Sequence, residues 1–550
     1  MQLASARRAV SNSSILRKFT MALERIQILL TSLLAVQTLF SWCGATEDSK
    51  HWRILGEDEL KDSLNYRWNE NVAKNVILFV GDGMSPDTIT ASRIYRGYET
   101  SYLAWEKFPH VGLLKTYNTN KQVPDSASTA TALFSGVKTN YKVAGVDANV
   151  QLNDCEASLV ESHRVQSIIA WAQEAGKDTG FVTTTRVTHA TPAPLYAHTP
   201  NRGWECEAKM PKSAKMCKDI ARQLVEDSPG KNIKVIMGGG RQVMKSNASA
   251  TQFDPIDSWA CYSTDGRDLI AAWAEDKSAR KMSHQVVQNN EELSKVDYEK
   301  VEFLLGIFAN GHIKMDWERE KGPLGQPSLE DMTLAAIKIL SKSPKGFVLV
   351  VEGGLIDFAH HRGHAAQALR ETVRLSDAIN ATLNFINTME TLVIVTSDHT
   401  HSMNFNGYPE RGSSILGIAQ SSKHDGIPFT SLTYSIGGPN NLAYTMNNGK
   451  PTRKDPSLEN TADYRYSQQA AVISDEAHHG GGDVIVYAKG PWAHLFHTTH
   501  EQNYVAYVIG YASKIGPYAS SSCDWRAKQS TMMITIIGGF LGSIFLSYLV

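Results

Sequence analysis

The residues able to do chemistry fall in a few short stretches. Ser126 stands in Val123-Pro-Asp125-Ser126-Ala-Ser-Thr-Ala-Thr131, behind an acid and followed only by small side chains. Such a serine could sit where a loop enters a helix, its hydroxyl exposed and backbone N–H groups free to meet an anion. Asp357 and His361 are four apart in Glu352-Gly-Gly-Leu-Ile-Asp357-Phe-Ala-His360-His361. On a helix that spacing puts both on one face within reach of one metal ion, while His360 points elsewhere. Glu476-Ala-His478-His479 offers a third ligand, and Asp82 and the pair Asp398-His399 each close an apolar run. Any one of these acids alone reads as a solvated loop or helix cap. Several ending strands in the same way read as one site.

The runs that would position them are short, apolar and β-branched. Asn75 to Gly81, Thr179 to Val187, Lys234 to Gly240, Gly346 to Glu352, Thr391 to Ser397 and Asp483 to Ala488 read as strands. Helical periodicity lies between several of them, at Val165–Ala175, Ser328–Ser341 and Gln367–Ile386. This alternation predicts an α/β fold, a central and mostly parallel sheet with helices on both faces. Ligands then bind beyond the carboxyl ends of the strands, where Asp82, Glu352, Asp398 and His399 would gather. Residues 405–475 are rich in Gly, Asn, Ser, Tyr and Pro and read as an insertion on the sheet.

Length permits one large catalytic unit. Lys and Arg total 55 against 56 Asp and Glu, a net charge of −1, which argues against nucleic acid and for a small partner. Arg7, Arg8, Arg17, Lys18 and Arg25 precede an apolar run, Ile26 to Trp42, with Cys43-Gly44-Ala45 behind it. This reads as a secretory signal over residues 1–45. At the other end Ser520-Ser521-Ser522, a polar spacer and an apolar tail from Met532 to Val550 read as a glycosylphosphatidylinositol (GPI) attachment signal. Residues 521–550 would then be removed, leaving 46–520 as the catalytic domain at the cell surface, on the outer face of the plasma membrane. A membrane span is the competing reading, but Arg526 and Lys528 precede the tail, contrary to the usual charge bias. Of the six cysteines, Cys155, Cys206, Cys217 and Cys261 fall in that domain, and four cysteines allow three pairings. Asn247 and Asn380 begin possible glycosylation triplets.

Taken together, Val-Gly-Asp82-Gly-Met, Val-Pro-Asp125-Ser126-Ala-Ser-Thr-Ala-Thr, Thr-Thr-Thr-Arg-Val-Thr-His189-Ala-Thr191-Pro, Asn-Arg202, the Glu352 to His361 stretch, Ser-Asp398-His399 and His479-Gly-Gly-Gly-Asp occur in an order that resembles the alkaline phosphatases, especially the animal, lipid-anchored members. The resemblance implies a phosphoric monoester hydrolase with Ser126 as nucleophile and a phosphoserine intermediate. It implies one zinc ion held by Asp357, His361 and His479, and a second held by Asp82, Asp398, His399 and Ser126. It also implies a magnesium ion held by Asp82, Thr191 and Glu352. Arg202 would grip phosphate, with Asp125 and His189 beside it on the substrate side. Cys155–Cys217 matches the family disulfide, leaving Cys206 with Cys261 as an extra bridge, and the 405–475 insertion matches a crown that helps build a homodimer. The stretch Phe308-Ala309-Asn310 and Gln326 departs from the acidic calcium ligands of many vertebrate members, which puts calcium in doubt. A surface receptor that kept the fold and a related phosphodiesterase are the alternative readings.

Overall fold

The computed structural model describes residues 47–519. The apolar runs form the middle of a ten-stranded sheet. Its strands are β1 (Asn75–Gly81), β2 (His110–Lys115), β3 (Asp178–Arg186), β4 (Val235–Gly239), β5 (His284–Val287), β6 (Phe303–Ile307), β7 (Phe347–Gly353), β8 (Thr391–Ser397), β9 (Val484–Lys489) and β10 (Thr498–Glu501). Their order across the sheet is β10-β2-β9-β8-β1-β7-β3-β4-β6-β5. Only β9 runs against the others, antiparallel to both β8 and β2. Burial on both faces explains why β1, β7 and β8 read as unbroken apolar runs. Along β1, Val76, Leu78 and Val80 enter one core and Ile77 and Phe79 the other. Each fully buried side chain of this kind contributes roughly 1.5–3 kcal/mol.

Register brings the functional ends level. Gly81 pairs Gly353 on one side and Ser397 on the other, so Asp82 and Asp398 emerge at the same height, while Glu352, paired with Val80, lies two residues below them on the neighbouring strand. Helices α1 (Pro86–Gly97), α2 (Ser126–Ser135), α3 (Leu329–Leu340), α4 (Leu355–His361), α5 (Ala365–Phe385) and α6 (Tyr504–Ser513) flank the sheet. Leu133 of α2 and Val505 of α6 pack on one face, Met332 of α3 and Leu375 of α5 on the other. Ser328 and Asp331 form a capping box that fixes the start of α3. Residues 405–475 hold short strands and hairpins, and Leu432, Tyr434 and Ala470 pack with Ala365 and Leu369 at the start of α5.

Four strands were not expected: β2 alternates buried and exposed residues, β5 and β10 are short and part-polar, and β6 is five residues long. The run at Asp483 is expected as one more strand of a mostly parallel sheet. It is β9, the antiparallel member, and β10 follows it.

From Trp68 onward the described chain forms one compact unit, and the preceding segment holds a separate helix, Ser49–Asn65, capped by Asp48 and without buried residues. Among the described residues no helix is long and apolar enough to cross a membrane. The N-terminal apolar run, Ser520, Ser521, Ser522 and the C-terminal tail lie outside the described residues. Cys155–Cys217 and Cys206–Cys261 are both disulfides. In the chain-entropy account, crosslinks closing loops of 62 and 55 residues each contribute about 4 kcal/mol. Asn247 and Asn380 are exposed.

Candidate active site

The carboxyl ends of β1, β7 and β8 crowd acids together in a dry setting. Asp82 and Asp398 are fully buried, Glu352 and Asp357 nearly so. Each of the four leaves one carboxylate oxygen without a hydrogen-bond partner. Burial drives Asp82 well above the ordinary carboxylate range, with Asp398, Asp357 and Glu352 adding to it. Burial also raises Glu352, to about 7, against hydrogen bonds from Thr183, Thr191 and Thr185. Burial would raise Asp357 as well, but His361 and His479 outweigh it and hold that carboxyl low. Clustered buried anions of this kind are stable only when a cation joins them.

The histidines show where the cations would go. A ring nitrogen facing a carbonyl must carry a proton, and His361 Nδ1 faces Ala477 O at 2.7 Å, His479 Nδ1 faces Pro124 O at 2.9 Å, and His399 Nδ1 faces Thr400 O at 3.2 Å. The neutral form of each ring therefore turns an Nε2 lone pair inward, the arrangement that a backbone partner imposes on a ligating histidine. Burial works against charge on His361, but Asp357 beside it outweighs that and pushes it up to about 9, so a proton occupies its Nε2 until a metal ion replaces it. The Nε2 atoms of His361 and His479 stand 3.1 Å apart and lie 3.1 and 3.4 Å from Asp357 oxygens. His399 Nε2 is 3.2 Å from Asp398 and 3.5 Å from Asp82. Three groups of candidate ligand atoms lie within 4.8 Å of one another: Asp357, His361, His401 and His479; Asp82, Asp398 and His399; and Asp82, His189 and Glu352. Orphaned carboxylate oxygens and converging imidazole Nε2 atoms make the donor set fit metal ions.

Ser126 opens α2, and every residue of that helix is buried. Its hydroxyl is 3.2 Å from His399 Nε2. Asp125 caps the helix through the Ala127 N–H at 3.2 Å, worth about 1 kcal/mol. The same carboxylate accepts from Ser128 Oγ at 2.8 Å, from Lys142 N at 2.7 Å and from Arg202 Nη1 at 3.1 Å. Arg202 Nη2 lies 3.4 Å from His189 Nε2. Because arginine only donates, that nitrogen accepts, and the proton of neutral His189 is on Nδ1. Thr191 Oγ1 is 3.4 Å from Asp82. The expected residues are thus brought to one place, while His360 turns away to Thr88 and Tyr434 as its position on the helix implies.

Some of the site escaped sequence reasoning. His401 has Nε2 3.6 Å from Asp357 Oδ1. Its Nδ1 accepts from Ser402 N at 3.0 Å, the reverse of the three rings above, so its Nε2 carries the proton and faces Asp357 as a donor rather than as a ligand. Period two from His399 was the available signal, since alternate residues of an extended segment share a face. Thr183 and Thr185, which both donate to Glu352, and the Arg186–Glu205 pair behind Arg202 carried no such signal.

Comparison with known proteins agrees with this geometry. The family described as Alkaline phosphatase matches residues 73–515. The tissue-nonspecific alkaline phosphatase of Gallus gallus is 44% identical, covering 89% of this chain and 95% of that protein. Alkaline phosphatase 4 of Drosophila melanogaster is 40% identical, covering 86% of this chain and 82% of that one. Among solved structures, the Thermus thermophilus alkaline phosphatase shares the fold with a TM-score of 0.57 at 24% identity, covering 82% of this chain and 93% of that one. With a metal-ready acid and histidine cluster and this similarity along most of its length, the chain belongs to the alkaline phosphatase family and is a metal-dependent phosphatase.

Proposed function

We propose that this chain hydrolyses small phosphate monoesters on the extracellular side of the cell through a phosphoserine at Ser126, served by two zinc ions and one magnesium ion. The observation that carries this reading is Ser126 Oγ, 3.2 Å from His399 Nε2, at the start of α2 and among the buried acids. Asp357, His361 and His479 would hold one zinc, and Asp82, Asp398, His399 and Ser126 the other, each a mixed nitrogen and oxygen set. Asp82, Glu352 and Thr191 offer oxygen only, which would suit magnesium, and the buried, unpartnered Nδ1–H of His189 would serve as a further donor beside them. Bound there, the ions would lower the pKa of hydroxyl and water and offset charge on the attacking and leaving oxygens.

The chain's own part follows from placement. Arg202, steadied by Asp125, presents its planar fork to two phosphate oxygens. Ser126 Oγ gives up its proton to solvent and attacks phosphorus as the ester oxygen departs opposite with the bonding pair and takes a proton from water. Water then adds from the vacated side and loses a proton to solvent, Ser126 Oγ leaves with the bonding pair and is reprotonated, and inorganic phosphate is released. Two in-line displacements retain configuration at phosphorus. Only the phosphate is gripped, so the ester group is free to vary. Acid quenching during turnover of a labelled aryl phosphate is expected to leave the label on the peptide holding Ser126. Full turnover with no label on that peptide would sink the phosphoserine.

Attachment through GPI at Ser520, Ser521 or Ser522, loss of residues 1–45 and 521–550, and pairing of two copies through the 405–475 crown belong to the same reading. Its support is the order of terminal signals and the family resemblance. Phosphatidylinositol-specific phospholipase C is expected to release the protein from intact cells; retention on the cell would favour a membrane span instead.

A further inference from the structure

His312 belongs to none of the three ligand groups, yet it stands behind Arg202. The loop that carries it is tightly pinned: Ala309 O accepts from Gly240 N and Arg241 N, Asn310 N donates to Asp254, and Ile313 N donates to Thr184 O. A Cβ on Gly239 would meet Gly311 O at 2.0 Å, so the strand end and this loop touch backbone to backbone. His312 Nε2 lies 2.7 Å from Arg186 Nη1. Arginine must donate there, so Nε2 accepts and the ring proton sits on Nδ1. Arg186 is itself fixed by a two-pronged pair with Glu205, at 2.9 and 2.7 Å.

From that anchor the ring of His312 meets His189 edge-on, with centroids 5.0 Å apart and planes at 81°, and packs against Phe358 at 5.1 Å. His189 in turn touches Arg202, which touches Asp125. Glu205, Arg186, His312, His189, Arg202 and Asp125 therefore form an unbroken line of contacts leading to the helix that bears Ser126. Simple filling of space does not require an imidazole here. Its Nδ1 is buried without a partner, a cost that a phenyl ring would avoid.

We propose that His312 is a positioning residue for substrate phosphate. Held by Arg186, its ring fixes the plane of His189, whose Nε2 keeps the Arg202 fork turned toward the site. The inference rests on Arg202 being the phosphate grip. In His312→Ala holoenzyme, KM and the inhibition constant for inorganic phosphate are expected to rise about tenfold, as is typical when a supporting contact is lost, with kcat changing less than about threefold and zinc content unaltered. Arg202→Lys should raise the same constants further, and the double variant should be no worse than Arg202→Lys alone, because both act through one grip. Should the alanine variant not fold, His312→Gln keeps an acceptor for Arg186 while removing the ring edge and should show the same rise. Unchanged phosphate inhibition in the His312 variant, beside a clear effect of Arg202→Lys, overturns the inference alone. No effect of Arg202→Lys overturns the role of Arg202 itself. Zinc lost in step with the kinetic change would show a merely structural role and overturn the inference too.

Discussion

Replacing Ser126 with alanine is expected to lower turnover of an aryl phosphate at alkaline pH by about four orders of magnitude or more, while leaving the fold intact. A group that forms and breaks the covalent bond has no substitute nearby, and loss of a nucleophile costs at least ~5.5 kcal/mol of barrier on that scale. The structural cost is small by comparison. The Ser126 hydroxyl meets His399 Nε2, a contact worth about 1 kcal/mol, and alanine is the better helix former. Asp125, which caps α2, stays in place. Steady-state kinetics beside a circular-dichroism melt separate the two effects. Full activity in the S126A protein would remove the proposed nucleophile outright.

Removal of metal should be as severe and, unlike the serine change, should also loosen the protein. With a strong chelator, activity is expected to vanish and the melting temperature to fall by on the order of 10 °C, since ions that bind only the folded chain stabilise it by about 4 kcal/mol at a thousandfold excess over Kd. Adding zinc with magnesium should restore both. The reason lies in the four orphaned carboxylate oxygens and in the converging Nε2 atoms of His361 and His479, which a metal ion satisfies together. Protons compete for the same atoms, so stripping should become easier as the pH falls. An enzyme indifferent to chelation would dispose of the metal scheme.

The central strands and most of the site were legible because a buried parallel strand announces itself as an apolar run, and because Asp82, Glu352 and Asp398 each follow one directly. His361 was legible through helical spacing from Asp357, which α4 reproduces. Apart from His401, which stands at period two from His399, what escaped had no local signature. The direction of β9 is set by which neighbours it joins, and a strand reads the same both ways. The edge strands β5 and β10 bury too little to stand out. His312 lies on a loop whose partners, Arg186 and His189, are distant in sequence and meet it only after β3 and β4 have paired. His401 resembled one more polar residue after a motif, until its ring proton was placed by the N–H of Ser402.

The position of β1 in the sheet bears on how the chain is made. As the first strand of the sheet to leave the ribosome, it ends in the middle, between β7 and β8, both of which are synthesised far later. Until then its apolar edges have no partner, so a nascent chain must be shielded from aggregation through most of its synthesis. Asp82 cannot share an ion with Asp398, nor His361 with His479, before nearly the whole catalytic unit has emerged. Metal capture is therefore a late event, and retained metal reports a chain whose catalytic unit was correctly assembled.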